Sequence, residues 1–243
     1  MKRGEKMIEL LDYEKKKTEL HFYMSELVFL DKINTNPSNP YDNYINKKMR
    51  LNSFDMNDFV VILKSNAFMM MYNMIESTVK EMIYALYDEI NTSKLTYSQS
   101  ALAIQKIWSK YQFINLDDGN ARTDKYKDTA QKMITFIIDS KTVKLDGKQL
   151  KLSGNADFTS VIAIMQNHGI TVSTEKIGKY SRELSNVKAK RNSLAHGSSS
   201  FIESARDTST TELINISQHV EEFLNQLKKD VSKYIRYKWF EKK

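Results

Sequence analysis

The chain has 243 residues, 28% of them charged and 41% hydrophobic, with no cysteine, two prolines and seven glycines. That length buries a core without staples, and the absence of Cys excludes disulfides, thiolate nucleophiles and Cys metal sites, which suits a reducing compartment and sets a cytoplasmic location as the expectation. Lys and Arg number 37 against 30 Asp and Glu, a balance that favours a polyanionic partner such as RNA, DNA or an acidic protein face, although scattered lysines also read simply as a solvated surface.

So few prolines and glycines leave few obligatory breaks, and an all-α fold with long helices is expected. No apolar run follows Met1-Lys2-Arg3 as a signal peptide would require, and no stretch reaches the ~20 apolar residues of a membrane span. A chain that is neither processed nor membrane-bound is the expectation. Residues 5–33 carry Ile8, Leu11, Leu20, Tyr23, Leu27 and Leu30 at spacings of three and four or their sums, which predicts a first helix. Residues 34–43 gather Asn, Pro37, Ser38, Pro40 and Asp42 and predict a loop.

The strongest apolar stretch, 54–90, predicts the central core helix, with Phe59, Ile62, Leu63, Tyr72, Ile75, Val79, Ile83 and Leu86 on a broad face. Its Met69-Met70-Met71 cluster reads as adaptable packing. Shorter helices are predicted over 98–110 and 123–140, separated by a polar loop at 115–120. Residues 142–152 alternate apolar and polar about Asp146-Gly147, the preferred dipeptide of a tight turn, and predict a small β-hairpin. A short helix over 157–167, a helix ending near His196, a Ser-rich turn and a long helix over 208–239 complete the chain. No internal repeat and no long polar linker breaks it. One domain is expected: a helix and loop over 1–50, the core helix over 54–91, inserted helices and hairpin over 92–172, and the last two long helices within 173–243.

No Gly-rich phosphate loop occurs, and four His without Cys form no pair at zinc spacing, so kinase, NTPase and zinc-hydrolase chemistry is not expected. The adjacent carboxylates Asp117-Asp118 and Glu221-Glu222 point different ways on a helix and suit solvent better than a paired-acid mechanism. One segment concentrates chemistry: Val187-Lys188-Ala189-Lys190-Arg191-Asn192-Ser193-Leu194-Ala195-His196-Gly197. Its His before Gly makes an ordinary helix C-terminal cap, where an imidazolium meets the helix dipole. The same residues also supply what RNA cleavage needs: a titrating base and acid, and a guanidinium that holds phosphate in a fork. Asn192 and His196 are four apart and share a face, whereas Arg191 sits well round the cylinder and has to reach or be supplied from elsewhere.

Arg191-Asn192, followed after three intervening residues by His196, resembles the signature of HEPN domains, an Arg and a polar residue separated by three to five residues from a His; these are helical modules found in anticodon nucleases, CRISPR-associated RNases and prokaryotic toxins. The run from Met71-Tyr72-Asn73-Met74-Ile75-Glu76 to Val79, then Ile83 to Ile90, and the turn Leu152-Ser153-Gly154-Asn155-Ala156-Asp157, resemble one branch, the MAE_28990/MAE_18760-like family, with order and spacing agreeing over roughly residues 55–235. The resemblance implies a HEPN-type helical bundle that dimerises and places Arg191 and His196 of both chains around a shared RNA cleft. It further implies a metal-independent endoribonuclease with no cofactor, leaving 2′,3′-cyclic phosphate and 5′-hydroxyl ends, with Arg191 and His196 catalytic and Asn192 orienting a His or a phosphate oxygen.

Asn73 and Glu76, three apart on the core helix, are candidates for supporting that segment, or for helix capping and buried bonding. Lys188, Lys190 and Tyr180 precede it and are candidates for touching RNA or for plain surface roles, and His219 reads as a packing residue. Family settings suggest a prokaryotic defence or toxin-antitoxin effector restrained or activated by a partner protein encoded alongside. Two other readings stay open. One is a catalytically silent HEPN module that binds RNA or a partner within a defence complex. The other is a DNA-directed or purely structural helical protein.

Overall fold

The computed structural model describes residues 7–36, 55–113, 123–150, 152 and 154–243. Of the loop predicted over 34–43, residues 34 and 35 belong to the end of the first helix and 37–43 lie outside these residues, as does the loop predicted at 115–120. The fold is all-α, as expected, with no strand among the described residues.

Helix α1, Leu11–Thr35, buries Tyr13, Leu20, Met24 and Leu27, which at spacings of seven, four and three form one stripe. It begins later than the 5–33 pattern suggested because a tertiary partner caps it. The Asp12 and Tyr13 N–H groups donate to the two oxygens of Glu81, both at 3.1 Å. Glu81 belongs to α2, Met56–Ser93, the spine of the molecule. An Asp55/Asp58 capping box starts α2, and Lys94 in the left-handed region ends it. Its side chains Phe68, Tyr72, Ile75, Val79, Ile83, Leu86 and Ile90 are 0% exposed, each aliphatic contributing roughly 1.5–3 kcal/mol relative to exposure.

Helix α3, Leu102–Phe113, buries Ile104, Ile107, Trp108 and Tyr111, the three- and four-residue spacing of an amphipathic helix. It starts after the predicted Ser98 because residues 96–100 turn first, with the Gln99 and Ser100 N–H groups donating to the Thr96 carbonyl. Helix α4, Thr123–Ile138, rests on the core through Met133 and Phe136, the latter 4.8 Å from the Trp108 ring.

The hairpin expected at 142–152 does not form. Asp146-Gly147 turns the chain, but Gly147–Gln149 is a 3₁₀ turn capped by the Asp146 carboxylate. The arm before it has other partners. Val143 N–H donates to the Leu95 carbonyl at 2.7 Å, and Asn91 exchanges two 2.9 Å hydrogen bonds with the backbone of Leu145. The side-chain amide of Asn91 thus does the work of a neighbouring strand, while Val143 and Leu145 bury as their alternation requires.

Helix α5, Phe158–Asn167, is capped by Asp157, whose side chain accepts from Ser160 N–H. A short α6, Thr174–Ile177, and a 3₁₀ turn, Gly178–Tyr180, lead into α7, Ser181–Ala195. The Ser-rich turn after α7 leads first into a short α8, Phe201–Ala205, started by a Ser200/Glu203 capping box. Helix α9, Thr210–Arg236, follows, N-capped by Ser209, with Leu213, Ile216, Val220, Phe223, Leu224, Leu227 and Val231 buried. Helices α1, α7, α8 and α9 all pack on α2, so the spine positions the segment that carries the candidate chemistry.

Candidate functional site

Leu184, Val187 and Arg191 stand three and four residues apart on α7, and the first two are fully buried against the core. The next position on that inward line is therefore a guanidinium. The Arg191 Cζ lies 4.3 Å from the centroid of the Tyr72 ring, and one of its Nη1 hydrogens is donated to Asn192 Oδ1 at 2.9 Å. A cation over an aromatic face in a partly desolvated slot gains about 1–2 kcal/mol, and the five-donor fork keeps most of its N–H groups for another acceptor.

Tyr72 is fixed in turn. It is buried, and its hydroxyl accepts the Ala156 N–H at 3.2 Å. Burial raises the phenol above its ordinary value, the Ala156 N–H and Arg191 act against that rise, and the neighbouring Glu76 carboxylate adds to it. Glu76 accepts from Lys80 Nζ at 2.5 Å. Lys80, Glu76, Tyr72, Arg191 and Asn192 thus form one continuous polar line from α2 to α7.

The turn before α5 closes over this line. Gly154 has φ +78°, and a Cβ there would stand 4.0 Å from Arg191 Nη1, so the left-handed backbone brings the turn to the guanidinium. Lys188 clamps the same turn through a 2.7 Å ion pair with Asp157. Against the cost of burial, the Lys188 ammonium and the Ser160 N–H hold the Asp157 carboxyl below the usual carboxylate range. Lys190 donates to the Ser204 carbonyl and so ties α7 to α8.

His196 is held differently. It is the C-cap of α7, followed by Gly197 at φ +69°, with Gly197 N–H donating to Leu194 O at 3.2 Å and Ser198 N–H to Ser193 O at 3.0 Å. This is a Schellman turn, and it satisfies the carbonyls at the end of α7. The cap expected of His before Gly is thus present in the backbone. The imidazole itself is exposed and engages no other described side chain. Five residues of helix separate its Cα from that of Arg191, a rotation of about 140°. Arg191 points into the Tyr72 slot and His196 points out of it.

The remaining candidates divide. Asn192 joins Arg191, Glu76 supports it through Tyr72, and Asn73 is exposed beside that line without a hydrogen bond among the described residues. Lys188 and Lys190 are engaged within the fold. Tyr180, expected at the surface, is 4% exposed, packs its ring 4.9 Å from that of His219, and donates its hydroxyl to Glu222. Tyr72, Gly154 and Asp157 were not singled out as site residues, although all three stand within the runs that carry the family resemblance.

The sequence profile of the MAE_28990-like HEPN family matches residues 6–240. The chain belongs to this HEPN family. The match takes in the Tyr72 slot, the 154–157 turn and all of α7, so the polar line lies wholly within the HEPN region. HEPN domains are frequently ribonucleases and commonly dimerise. No curated protein and no solved structure matches the chain. Among the described residues no group of three His, Cys, Asp or Glu side chains is placed to hold a metal ion, and no helix is long and apolar enough to cross a membrane.

Proposed function

We propose that this HEPN protein is a metal-independent endoribonuclease that acts as a homodimer, with Arg191 and His196 as its catalytic pair. The observation that supports it most is the contrast between the two side chains. Arg191 is held against Tyr72, Asn192 and the Gly154 turn with donors to spare, while the imidazole of His196 stands exposed at a rigid helix end. The first suits a cation that waits for charge to build on a phosphate without reorganising, and the second suits a group that exchanges protons with substrate and solvent.

In the proposed reaction His196 removes the proton from a ribose 2′-OH, the 2′-oxygen attacks the adjacent phosphorus, and the 5′-oxygen leaves with a proton from a second imidazole. Arg191 neutralises the phosphate oxygens, and Asn192 fixes the guanidinium plane. The second imidazole is His196 of another copy, which is why the dimer is part of the proposal. Effector function in a prokaryotic defence or toxin-antitoxin setting, under a restraining partner protein, is proposed on the family resemblance. The alternative is a silent module that binds RNA or a partner.

The test compares wild type with His196→Ala on total RNA in excess EDTA and reads the chemistry of the new ends. A general acid or base is worth ~10²- to 10⁴-fold in rate, and the variant should lose about that much. The wild type should leave 2′,3′-cyclic phosphates and 5′-hydroxyls. Equal cutting by both proteins would remove His196 from the mechanism.

A further inference from the structure

Away from the Arg191 slot, the first turns of α7 and α9 enclose an open cleft of about 550 Å³, within the range of small-ligand sites. Arg182, Glu183 and Asn186 line it from α7, and Glu212, Asn215 and His219 line it from α9. Its floor is apolar, with Ile216 buried there. His219 Nδ1 lies 3.4 Å from Glu183 Oε1, while the other Glu183 oxygen is buried without a hydrogen bond among the described residues. That oxygen is closed to the cleft, so the exposed Glu212 is the carboxylate that a ligand meets.

The composition of the lining selects the ligand. Two carboxylates against one guanidinium disfavour a phosphate, so the cleft suits a neutral group rich in N–H donors. Guanine alone among the RNA bases presents adjacent N1–H and N2–H donors on one edge, which a single carboxylate accepts, and O6 and N7 acceptors on the other, which Arg meets in a fork. Arg182, Asn186, Ser193 and His196 fall along one stripe of α7, at spacings of four, seven and three. Asn186 lies ten residues before His196, about 15 Å along the helix. A single strand cut at His196 and laid along this stripe brings a base a few nucleotides away into the cleft.

We infer that the cleft between α7 and α9 is a base-recognition subsite for one unpaired guanine of the RNA, with Glu212, Asn186 and Asn215 as specificity determinants; its register to the cut rests on the ribonuclease reading. The experiment has two arms. In the first, wild type, Asn186→Ala and Asn215→Ala cleave a random-sequence single-stranded RNA pool, and the ends are sequenced. Guanine should be enriched at one fixed position a few nucleotides from the cut, and each variant should lose about 5- to 100-fold of that discrimination while total cutting changes only a few-fold. A flat base profile, or enrichment unchanged in both variants, overturns the subsite. So does a shift of oligomeric state in the variants, which makes the cleft an interface.

The second arm needs no cleavage. His196→Ala is titrated with a labelled single-stranded uridine octamer carrying one guanosine, and with its inosine counterpart, which lacks the 2-amino donor. Weaker binding of inosine, by about tenfold, is expected, because losing one hydrogen bond at a carboxylate costs on that order. Equal affinity sinks the subsite. If the wild type cuts no RNA but this arm discriminates, the ribonuclease reading fails and the guanine site stands.

Discussion

At the scale of single residues, Tyr72 carries more of the site than its chemistry advertises. Its ring is the platform for Arg191, and its hydroxyl is the acceptor for the Ala156 N–H, so one side chain joins α2, α7 and the turn before α5. Tyr72→Phe separates the two functions. The platform stays, while a buried N–H loses its partner, and the unpaired donor should cost about 1–3 kcal/mol. Urea unfolding should show that loss, and Arg191→Ala, which leaves the Ala156 bond intact, should show less. On the proposed reaction the order reverses for RNA cleavage, with Arg191→Ala the slower enzyme. A Tyr72→Phe protein as stable as wild type would mean that the turn at 154–157 is held by the Lys188–Asp157 pair alone.

Among elements, the segment between α2 and α7 is joined to the spine by a buried hydrogen-bond chain. The Tyr87 hydroxyl stands 2.7 Å from both the Tyr111 hydroxyl and His168 Nε2, and His168 Nδ1 stands 2.7 Å from the Ile164 carbonyl. A carbonyl only accepts, so Nδ1 carries the proton, and a neutral Nε2 then accepts from Tyr87. A neutral imidazole completes the chain without burying a charge. Burial accordingly lowers the His168 pKa from 6.5, with the Ile164 carbonyl acting against that shift. In this direction the unfolded chain takes up a proton first, so stability is whole above about pH 6.5 and falls as pH drops towards the folded value. Urea midpoints between about pH 8 and about pH 5 should decline for wild type, and His168→Gln should flatten part of that slope. An unchanged slope would place the linkage on other groups. Much of this level was legible beforehand. The apolar stripe of α2, the Asp157 cap and the His196–Gly197 helix end follow from local spacing and capping rules. The hairpin failed because Asn91, fifty-four positions from Leu145, meets the backbone demand that a second strand would meet. Helix α8 announces itself only through its Ser200-x-x-Glu203 box, a local signal inside an otherwise turn-like Ser-rich run. The burial of Tyr180 was not readable at all, since it depends on Glu222 and His219 arriving from α9.

The molecule as a whole raises a question that neither residue nor element answers, which is how an inward Arg191 and an outward His196 come to act on one phosphate. Helix geometry sets them about 140° apart on α7, and the Tyr72 slot and the Schellman turn hold each where it is. A two-fold dimer resolves this if Arg191 of one copy and His196 of the other face the same cleft. The proposed reaction also takes its base and its acid from the two copies of His196, so a dimer that lacks one imidazole is silent even though both guanidiniums remain. That predicts dominance of the variant over the wild type. When His196→Ala is added in equal amount to wild type, with time for subunits to exchange, half the dimers are mixed and a quarter stay wild type, so RNA cleavage should fall to about half of what the wild type shows alone. If size-exclusion and mass measurements show that mixed dimers form and cleavage does not fall, then one imidazole serves each cut and the two-copy reaction fails. In that case a single His196 has to act as both base and acid at one phosphate, and the dimer would have another purpose.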